Sequence, residues 1–123
     1  MPARAIVSKE LANLLGALAH PHRIRIIAEL GSGELDVNSL QRALETSHSS
    51  VSQNLAILRA RRLVTERREG RRVIYRLTNP ELAGWLLRGI GFLEDNLDGA
   101  ERMRSVVASV KGLWGKPEEP SAG

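Results

Sequence analysis

A change of apolar period near residue 63 constrains the fold of this chain more than any other feature of its sequence. Before that point, apolar residues recur at the spacing of one helix face, at Val51, Leu55 and Leu58. After it they recur at every second position, as in a β-strand, at Val73, Tyr75 and Leu77. Glu69-Gly70 supplies a turn, because glycine takes a positive φ without a steric penalty. The pattern predicts a helix that leads into a β-hairpin at about residues 63–78.

Two capping residues place a helix-turn-helix at about residues 37–62, immediately before the hairpin. Asp36 precedes one short helical pattern and Ser47 precedes the next. Both side chains can accept a hydrogen bond from a free backbone N–H of the first helical turn. Glu45-Thr46-Ser47 is short enough to form the turn between them. A helix-turn-helix followed by such a hairpin is a winged helix, with the hairpin as its wing.

Two helices are predicted before this unit. Helically spaced apolar residues indicate a first helix at about residues 8–18, with Ser8 as its cap. Pro21 suits the first position of a second helix, because its missing N–H would have no partner there, and Gly31 ends that helix.

Two further helices are predicted after the wing, at about residues 80–97 and 99–114. The expected fold is mainly α with a small β-hairpin, a single winged helix-turn-helix domain over residues 1–115 that ends in an extra C-terminal helix. Residues 116–123 are expected to form a short disordered tail.

Positive charge is concentrated in the helix-turn-helix and the wing. Residues 1–78 hold 13 Lys and Arg against 7 Asp and Glu, a net charge of +6, whereas residues 79–123 hold 5 against 7, a net charge of −2. Residues 59–76 alone contain eight arginines and two glutamates. Planar guanidinium groups suit bidentate contact with phosphates and guanine edges. The clustering favours a nucleic-acid partner over a merely solvated charged face.

The predicted contacts with double-stranded DNA come from the second helix of the motif and from the wing. A helical wheel places Ser49, Gln53, Ala56 and Ala60 opposite the apolar face, while Asn54 falls nearer the core edge. The complete predicted set is His48, Ser49, Ser50, Ser52, Gln53, Asn54, Arg59, Arg67, Arg68, Arg71 and Arg72. Gln53, Ser49 and Ser52 are expected to set sequence preference. Arg68, Arg71 and Arg72 are expected to set affinity and its salt dependence. The alternative for each serine is that it caps or solubilises a surface helix.

Several classes of protein are disfavoured. The chain has no cysteine, which excludes disulfides and thiolate metal sites, and its three histidines suggest no metal site. No cofactor is expected, and no catalytic motif is present, so we do not expect an enzyme. We expect no membrane association, since the sequence shows no signal peptide and no apolar run of about 20 residues, and a cytoplasmic location is therefore expected.

Three segments resemble the ArsR-type winged-helix transcriptional repressors. Residues 17–27 are similar to the family's second-helix entry, residues 33–37 to its third-helix entry, and residues 47–59 to its recognition helix. The resemblance covers roughly residues 9–97. It implies a regulator that represses transcription by occupying a promoter, as a homodimer on a pseudo-palindromic operator.

In that family the first and fifth helices pair across a two-fold axis, so both ends of this domain are expected to carry dimerisation elements. The dimerisation residues that this implies are Leu11, Leu14, Leu15, Leu18, Leu82, Trp85, Leu86, Ile90 and Leu93. The family's metal-sensing sites are missing, because Asp36 and Asn38 stand where thiol sensors carry cysteines and residues 79–114 contain no histidine. Asn54 replaces a commonly seen histidine.

The sequence leaves alternatives open for how the protein is regulated and for what it binds. A small-molecule effector is one hypothesis, bound in an apolar pocket between the last two helices that would be lined by Trp85, Phe92, Val106, Val110 and Trp114. The alternative is that these residues finish a small core. Two other functions are weighed beside specific regulation: a nonspecific nucleic-acid architectural protein, and a winged helix that binds a protein partner.

Overall fold

Six α-helices and one three-stranded antiparallel sheet make up the computed structural model over the residues that it describes, 2–96 and 100–114. The elements are α1 (Pro2–Leu18), α2 (Pro21–Leu30), β1 (Leu35–Asp36), α3 (Val37–Leu44), α4 (His48–Ala60), β2 (Val64–Glu69), β3 (Arg72–Leu77), α5 (Glu81–Asn96) and α6 (Ala100–Trp114). The predicted mainly α winged helix-turn-helix with a small hairpin is confirmed. The predicted tail at 116–123, and the expected end at 97 and start at 99 of the last two helices, lie outside the described residues.

Helix α1 begins six residues earlier than predicted, at Pro2 instead of residue 8. Proline suits a first helical turn, and Ala3, Arg4 and Ala5 are strong helix formers. Ser8 therefore lies inside the helix, and its prediction as a cap was wrong.

Helix α2 begins as the sequence predicted, with Pro21 in its first turn. His20 caps it, since its Nδ1 accepts a hydrogen bond of 3.1 Å from the backbone N–H of His22. At the other end, Gly31 lies against α5, because a Cβ added there would come within 2.5 Å of the Ala83 Cβ. The absence of a side chain at Gly31 thus allows close packing of these two segments.

The wing is larger than the predicted hairpin because a third strand joins it. The strand order is β1-β3-β2, and both pairs are antiparallel. Leu35 pairs with Tyr75 and Asp36 with Ile74, so the residues just before α3 are hydrogen-bonded to the wing. The turn at Gly70 has φ 64°, the left-handed conformation expected for glycine there.

The hydrophobic core lies between the helix-turn-helix and α2. Its fully buried side chains are those of Ile26, Ile27, Leu40, Val51, Leu55, Leu58 and Val64. Burying each such side chain stabilises the fold by about 1.5–3 kcal/mol. Three of the seven lie on α4, which fixes the side of that helix that faces inward and leaves the opposite side to solvent.

Candidate nucleic-acid interface

Two side-chain caps and one left-handed residue set the angle between α3 and α4. The Asp36 carboxylate accepts from the Ser39 N–H at 2.8 Å, and the Ser47 hydroxyl accepts from the Ser50 N–H at 3.0 Å. Between the helices, Glu45 has φ 52°, which ends α3 and turns the chain. Both predicted caps are confirmed, and α4 therefore begins at the predicted place.

The outward face of α4 carries small and polar side chains. Ser49, Gln53, Ala56 and Ala60 are exposed, as the helical wheel predicted. His48 is also exposed, and its Nδ1 lies 3.4 Å from the Ser52 hydroxyl. The alanines leave room for close approach of the helix backbone to a partner, and the amide of Gln53 offers both a donor and an acceptor.

Asn54 was predicted to contact DNA, but it does not lie on this outward face. Its side chain is 7% exposed, donates to the Ser50 carbonyl at 2.9 Å and accepts from Arg23 at 3.2 Å. Ser50 is partly buried as well, with its hydroxyl 3.2 Å from the His22 Nδ1. Both residues thus point toward α2, and their polar groups are already engaged within the chain.

The arginines predicted to contact DNA divide into two groups. Arg68 and Arg71 are exposed, and neither forms an ion pair within residues 2–96 and 100–114. The other three predicted contacts have carboxylate partners: Arg59 with Glu66, Arg67 with Glu34 and Glu69, and Arg72 with Asp36. The Arg59 and Arg67 pairs are exposed enough for each guanidinium to exchange its carboxylate for a phosphate at little cost. The Arg72 guanidinium is also exposed, but the side chain of its partner Asp36 is only 16% exposed.

A small polar cavity joins the wing to the amino-terminal ends of α3 and α4. Its volume is about 160 Å³, and its lining residues are Asp36, Val37, Asn38, His48, Arg71, Arg72 and Val73. Hydrogen bonds from Ser39, together with the Arg72 guanidinium, lower the pKa of Asp36 to about 2, so this carboxylate is ionised at neutral pH. Asn38 was missed by the sequence prediction, because only the pairing of β1 with β3 brings it beside the wing.

The inner face of the wing holds the protein's single tyrosine. Tyr75 lies opposite Glu66 on the neighbouring strand. Burial and the adjacent Glu66 carboxylate raise the pKa of Tyr75 to about 12. Tyr75 is partly buried against the hydrophobic core, and its phenol is neutral at neutral pH.

The predicted dimerisation residues fall into exposed and buried groups. Leu11 and Leu15 on α1 are 47% and 48% exposed, and Trp85 and Leu93 on α5 are also exposed. Leu14, Leu82 and Leu86 pack against the core of the single chain, and Ile90 is partly buried. The prediction of Leu18 as a dimerisation residue was wrong. At 3% exposed, Leu18 belongs to the core and is not available to a partner. Ile6, Val7 and Phe92 add to the exposed apolar surface of the same two helices.

The hypothetical effector pocket between α5 and α6 stays a prediction. Phe92 and Val106, two of its expected lining residues, are 71% and 52% exposed. A different cavity of about 450 Å³ lies between α1, the base of the wing and α5. Its lining residues are Leu11, Leu14, Arg62, Leu63, Thr78, Asn79, Glu81, Leu82, Trp85 and Arg88. Only Trp85 is shared with the prediction.

The described residues contain no candidate metal site and no candidate membrane span. No cluster of three or more His, Asp or Glu side chains there is arranged to hold a metal ion. The rings of His20 and His22 lie 5.3 Å apart. No helix in the described ranges combines the length and apolar character needed to cross a membrane.

Known proteins share this arrangement. Residues 18–67 match a family model described as a helix-turn-helix domain. The biofilm growth-associated repressor of Agrobacterium fabrum is 36% identical over 68% of this chain and 71% of its own length. The chain belongs to the ArsR-type family of winged helix-turn-helix transcriptional regulators, as the sequence resemblance predicted.

Solved structures agree with that assignment. Reduced HlyU from Vibrio cholerae superposes with a TM-score of 0.65 at 35% identity, over 70% of this chain and 90% of that one. The homodimeric winged helix-turn-helix DNA-binding domain of Mb0332 from Mycobacterium bovis also has a TM-score of 0.65, at 28% identity, over 78% and 89%. These relatives are named as regulators or DNA-binding domains and not as enzymes.

Proposed function

We propose that this protein is a transcriptional repressor that binds double-stranded DNA sequence-specifically as a homodimer. The proposal is carried by one observation, that α4 and the wing line the same cavity. The amino-terminal end of α4 and the wing arginines both line it, so the outward face of α4 and the wing tip are presented together. A duplex that received α4 in its major groove would bring its phosphates to the wing.

Base reading is assigned to the outward face of α4. Gln53 is exposed, and its amide can pair with the N6 and N7 edge of adenine. Ser49 and Ser52 offer hydroxyls on either side of it, and Ala56 and Ala60 let the helix sit deep in the groove. Asn54 is excluded from this set, because both ends of its amide are hydrogen-bonded inside the protein.

Phosphate binding is assigned to the wing and the polar cavity. Arg68 and Arg71 have no competing carboxylate in the described residues, and Arg72 is held at the cavity edge by Asp36. Asn38 and His48 supply further polar groups beside the amino-terminal ends of α3 and α4, where the helix dipoles favour an anion. Such contacts set affinity and its salt dependence but carry no sequence information.

Homodimerisation is assigned to the exposed apolar faces of α1 and α5. Leu11, Leu15, Trp85 and Leu93 are too exposed to serve the core of one chain. The domain of Mb0332 is homodimeric, and the same mode applied here would bury these side chains across a two-fold axis. The 450 Å³ cavity shares Leu11 and Trp85 with this face, so the partner protomer would cover it. The proposal therefore includes no small-molecule effector.

Repression follows from occupation of a promoter by the dimer. The Agrobacterium relative is named a repressor, which favours this direction of control. HlyU of Vibrio cholerae, 42% identical over 56% of this chain and 64% of its own length, is named an activator. A reporter gene placed behind the protein's own upstream DNA separates the two, because a repressor lowers its expression and an activator raises it.

The DNA proposal is tested by titrating the purified protein onto DNA from upstream of its own gene and onto a shuffled control. Both titrations are run at several salt concentrations. We expect the upstream DNA to bind about a thousandfold more tightly or better. Equal affinities with equally steep salt slopes would instead identify a nonspecific binder that reads only the DNA backbone. Absence of binding to either DNA at low salt would overturn the proposal.

A further inference from the structure

A hydrogen-bonded link crosses the interior from α1 to α4 by way of α2. The Arg23 side chain donates from Nε to the Ala17 carbonyl at 2.6 Å, in the last turn of α1. It also donates from Nη1 to the Asn54 Oδ1 at 3.2 Å, on α4. The Asn54 Nδ2 in turn donates to the Ser50 carbonyl at 2.9 Å. One guanidinium group therefore holds the end of α1 and the middle of α4 at once.

Asn54 is an unusual choice for its position if packing alone mattered. Among the residues that the structure describes, Asn54 is the one buried residue with a polar side chain. The other buried residues of α4 are Val51, Leu55 and Leu58. Burying an amide is unfavourable unless its polar atoms find partners. Here both ends of the amide are satisfied, so the arrangement is a complete, directional contact.

Directional contacts constrain a helix in a way that apolar contacts do not. Leucine and valine side chains tolerate small rotations and shifts of a helix about its axis. A hydrogen bond prefers an angle above about 150° and weakens steeply below about 120°. Gln53 precedes Asn54 directly in the sequence, so the two side chains lie about 100° apart on the same helix. A rotation of α4 that broke the Arg23–Asn54 bond would move Gln53 relative to any bound base pair.

We propose that Arg23 and Asn54 are positioning residues that fix the rotation and placement of α4 relative to α1. The proposal rests on the proposed function, in which α1 carries part of the dimer contact and α4 reads DNA. The link would then set how the two reading helices of a dimer are presented to their half-sites. Arg25, also on α2, donates a hydrogen bond of 2.5 Å to the Ala43 carbonyl on α3. Helix α2 is therefore hydrogen-bonded to both helices of the helix-turn-helix.

The test uses Arg23→Met, Asn54→Leu and the double variant, in which both polar partners are replaced by apolar groups of similar size. Arg104→Met is the matched control, because this exposed arginine lies on α6, away from the link. Affinities for upstream and shuffled DNA are measured at a temperature where every variant is folded. We expect each single variant to lose about tenfold of its preference for the upstream DNA, equivalent to ~1.4 kcal/mol. The double variant should lose no more than the worse single variant, because the two residues act as one contact.

A second measurement reads the helix position without DNA. The chain has no cysteine, so Ala12→Cys on α1 and Ala56→Cys on α4 allow two spin labels to be attached at exposed sites. Labelled protein diluted into an excess of unlabelled protein reports only the distance within one chain. We expect one narrow distance distribution in the parent protein and the Arg104→Met control. The three link variants should show a broadened or shifted distribution.

The two measurements separate the possible failures. An unchanged distance distribution in the folded link variants would overturn the proposal and leave the link a contributor to stability alone. Unchanged DNA preference in those variants would overturn it as well. If the parent protein itself showed no preference for upstream DNA, the proposed function would fail, and the distance measurement would still decide whether Arg23 and Asn54 position α4.

Discussion

The Arg72 Nε lies 3.0 Å from the Asp36 Oδ2, which joins the wing to the residue that caps α3. The same carboxylate thus begins one helix of the helix-turn-helix and holds an arginine proposed to bind phosphate. The strand pairing of Asp36 with Ile74 supports this contact from the backbone. The wing and the helix-turn-helix are therefore one connected surface, and the consequences can be measured.

The first prediction concerns the acid stability contributed by Asp36. Its pKa is lowered from 3.8 to about 2, so the native state binds fewer protons than the unfolded state in this range. The stabilisation is complete above about pH 4 and is lost as the pH falls toward 2. Asp36→Asn should remove this contribution, which makes its unfolding free energy less dependent on pH between 4 and 2. Urea unfolding of the parent and the variant at several pH values measures this pH dependence. An identical pH dependence in the two proteins would contradict the lowered pKa of Asp36.

The second prediction concerns the exposed wing arginines. Replacing Arg71 with glutamine should weaken binding to all DNA sequences by a similar factor. It should also reduce the slope of log affinity against log salt by about 1 for each lost phosphate contact, hence by about 2 for a dimer. Arg104→Gln is the control, since it removes the same charge from α6. An Arg71 variant with the parent salt slope would show that this arginine does not contact phosphate.

The third prediction concerns the single tyrosine. Because burial and Glu66 raise the pKa of Tyr75 to about 12, the phenol should ionise well above its ordinary value of 10. Its contribution to stability is complete below pH 10 and is lost as the pH rises through about 12. An absorbance titration of the phenolate measures this directly. Glu66→Gln should lower the midpoint and Glu69→Gln should not; a parent midpoint near 10 would be incompatible with the described packing.

The fourth prediction separates two leucines that the sequence could not distinguish. Leu15→Glu should prevent dimerisation while leaving the chain folded, because this side chain is exposed on α1. Leu18→Ala should reduce the unfolding free energy by about 2–5 kcal/mol, because it leaves a cavity in the core. Sedimentation and urea unfolding distinguish the two effects. A Leu15→Glu protein that remained dimeric would place the interface elsewhere.

Local features of this fold were predictable because their causes are local. Asp36 and Ser47 cap helices through contacts three residues away, and the apolar spacing of α4 fixed its inward face. The two-residue strand β1 was missed, since two residues show no period and its partner lies far along the chain. The wing's connection to the helix-turn-helix was missed for the same reason.

The errors at single residues have a similar origin. Asn54 was assigned to DNA because it lies in a polar stretch, yet its partner Arg23 is 31 residues away in sequence. Leu18 follows the same helical stripe as Leu11 and Leu15, and only the packing of α1 onto α2 and α4 buries it. A helical wheel gives the direction of a side chain but not the neighbouring element that it meets.

The most direct test of the central claim, that the outward face of α4 reads DNA sequence, is the base preference of Gln53→Ala. Affinities of the parent protein and the variant are measured on an upstream site and on a panel with each base pair replaced in turn. We predict that the variant loses discrimination mainly at one base pair in each half-site, while Gln41→Ala on α3 retains the parent pattern. Equal weakening by Gln53→Ala on every sequence of the panel would contradict this account of the interface.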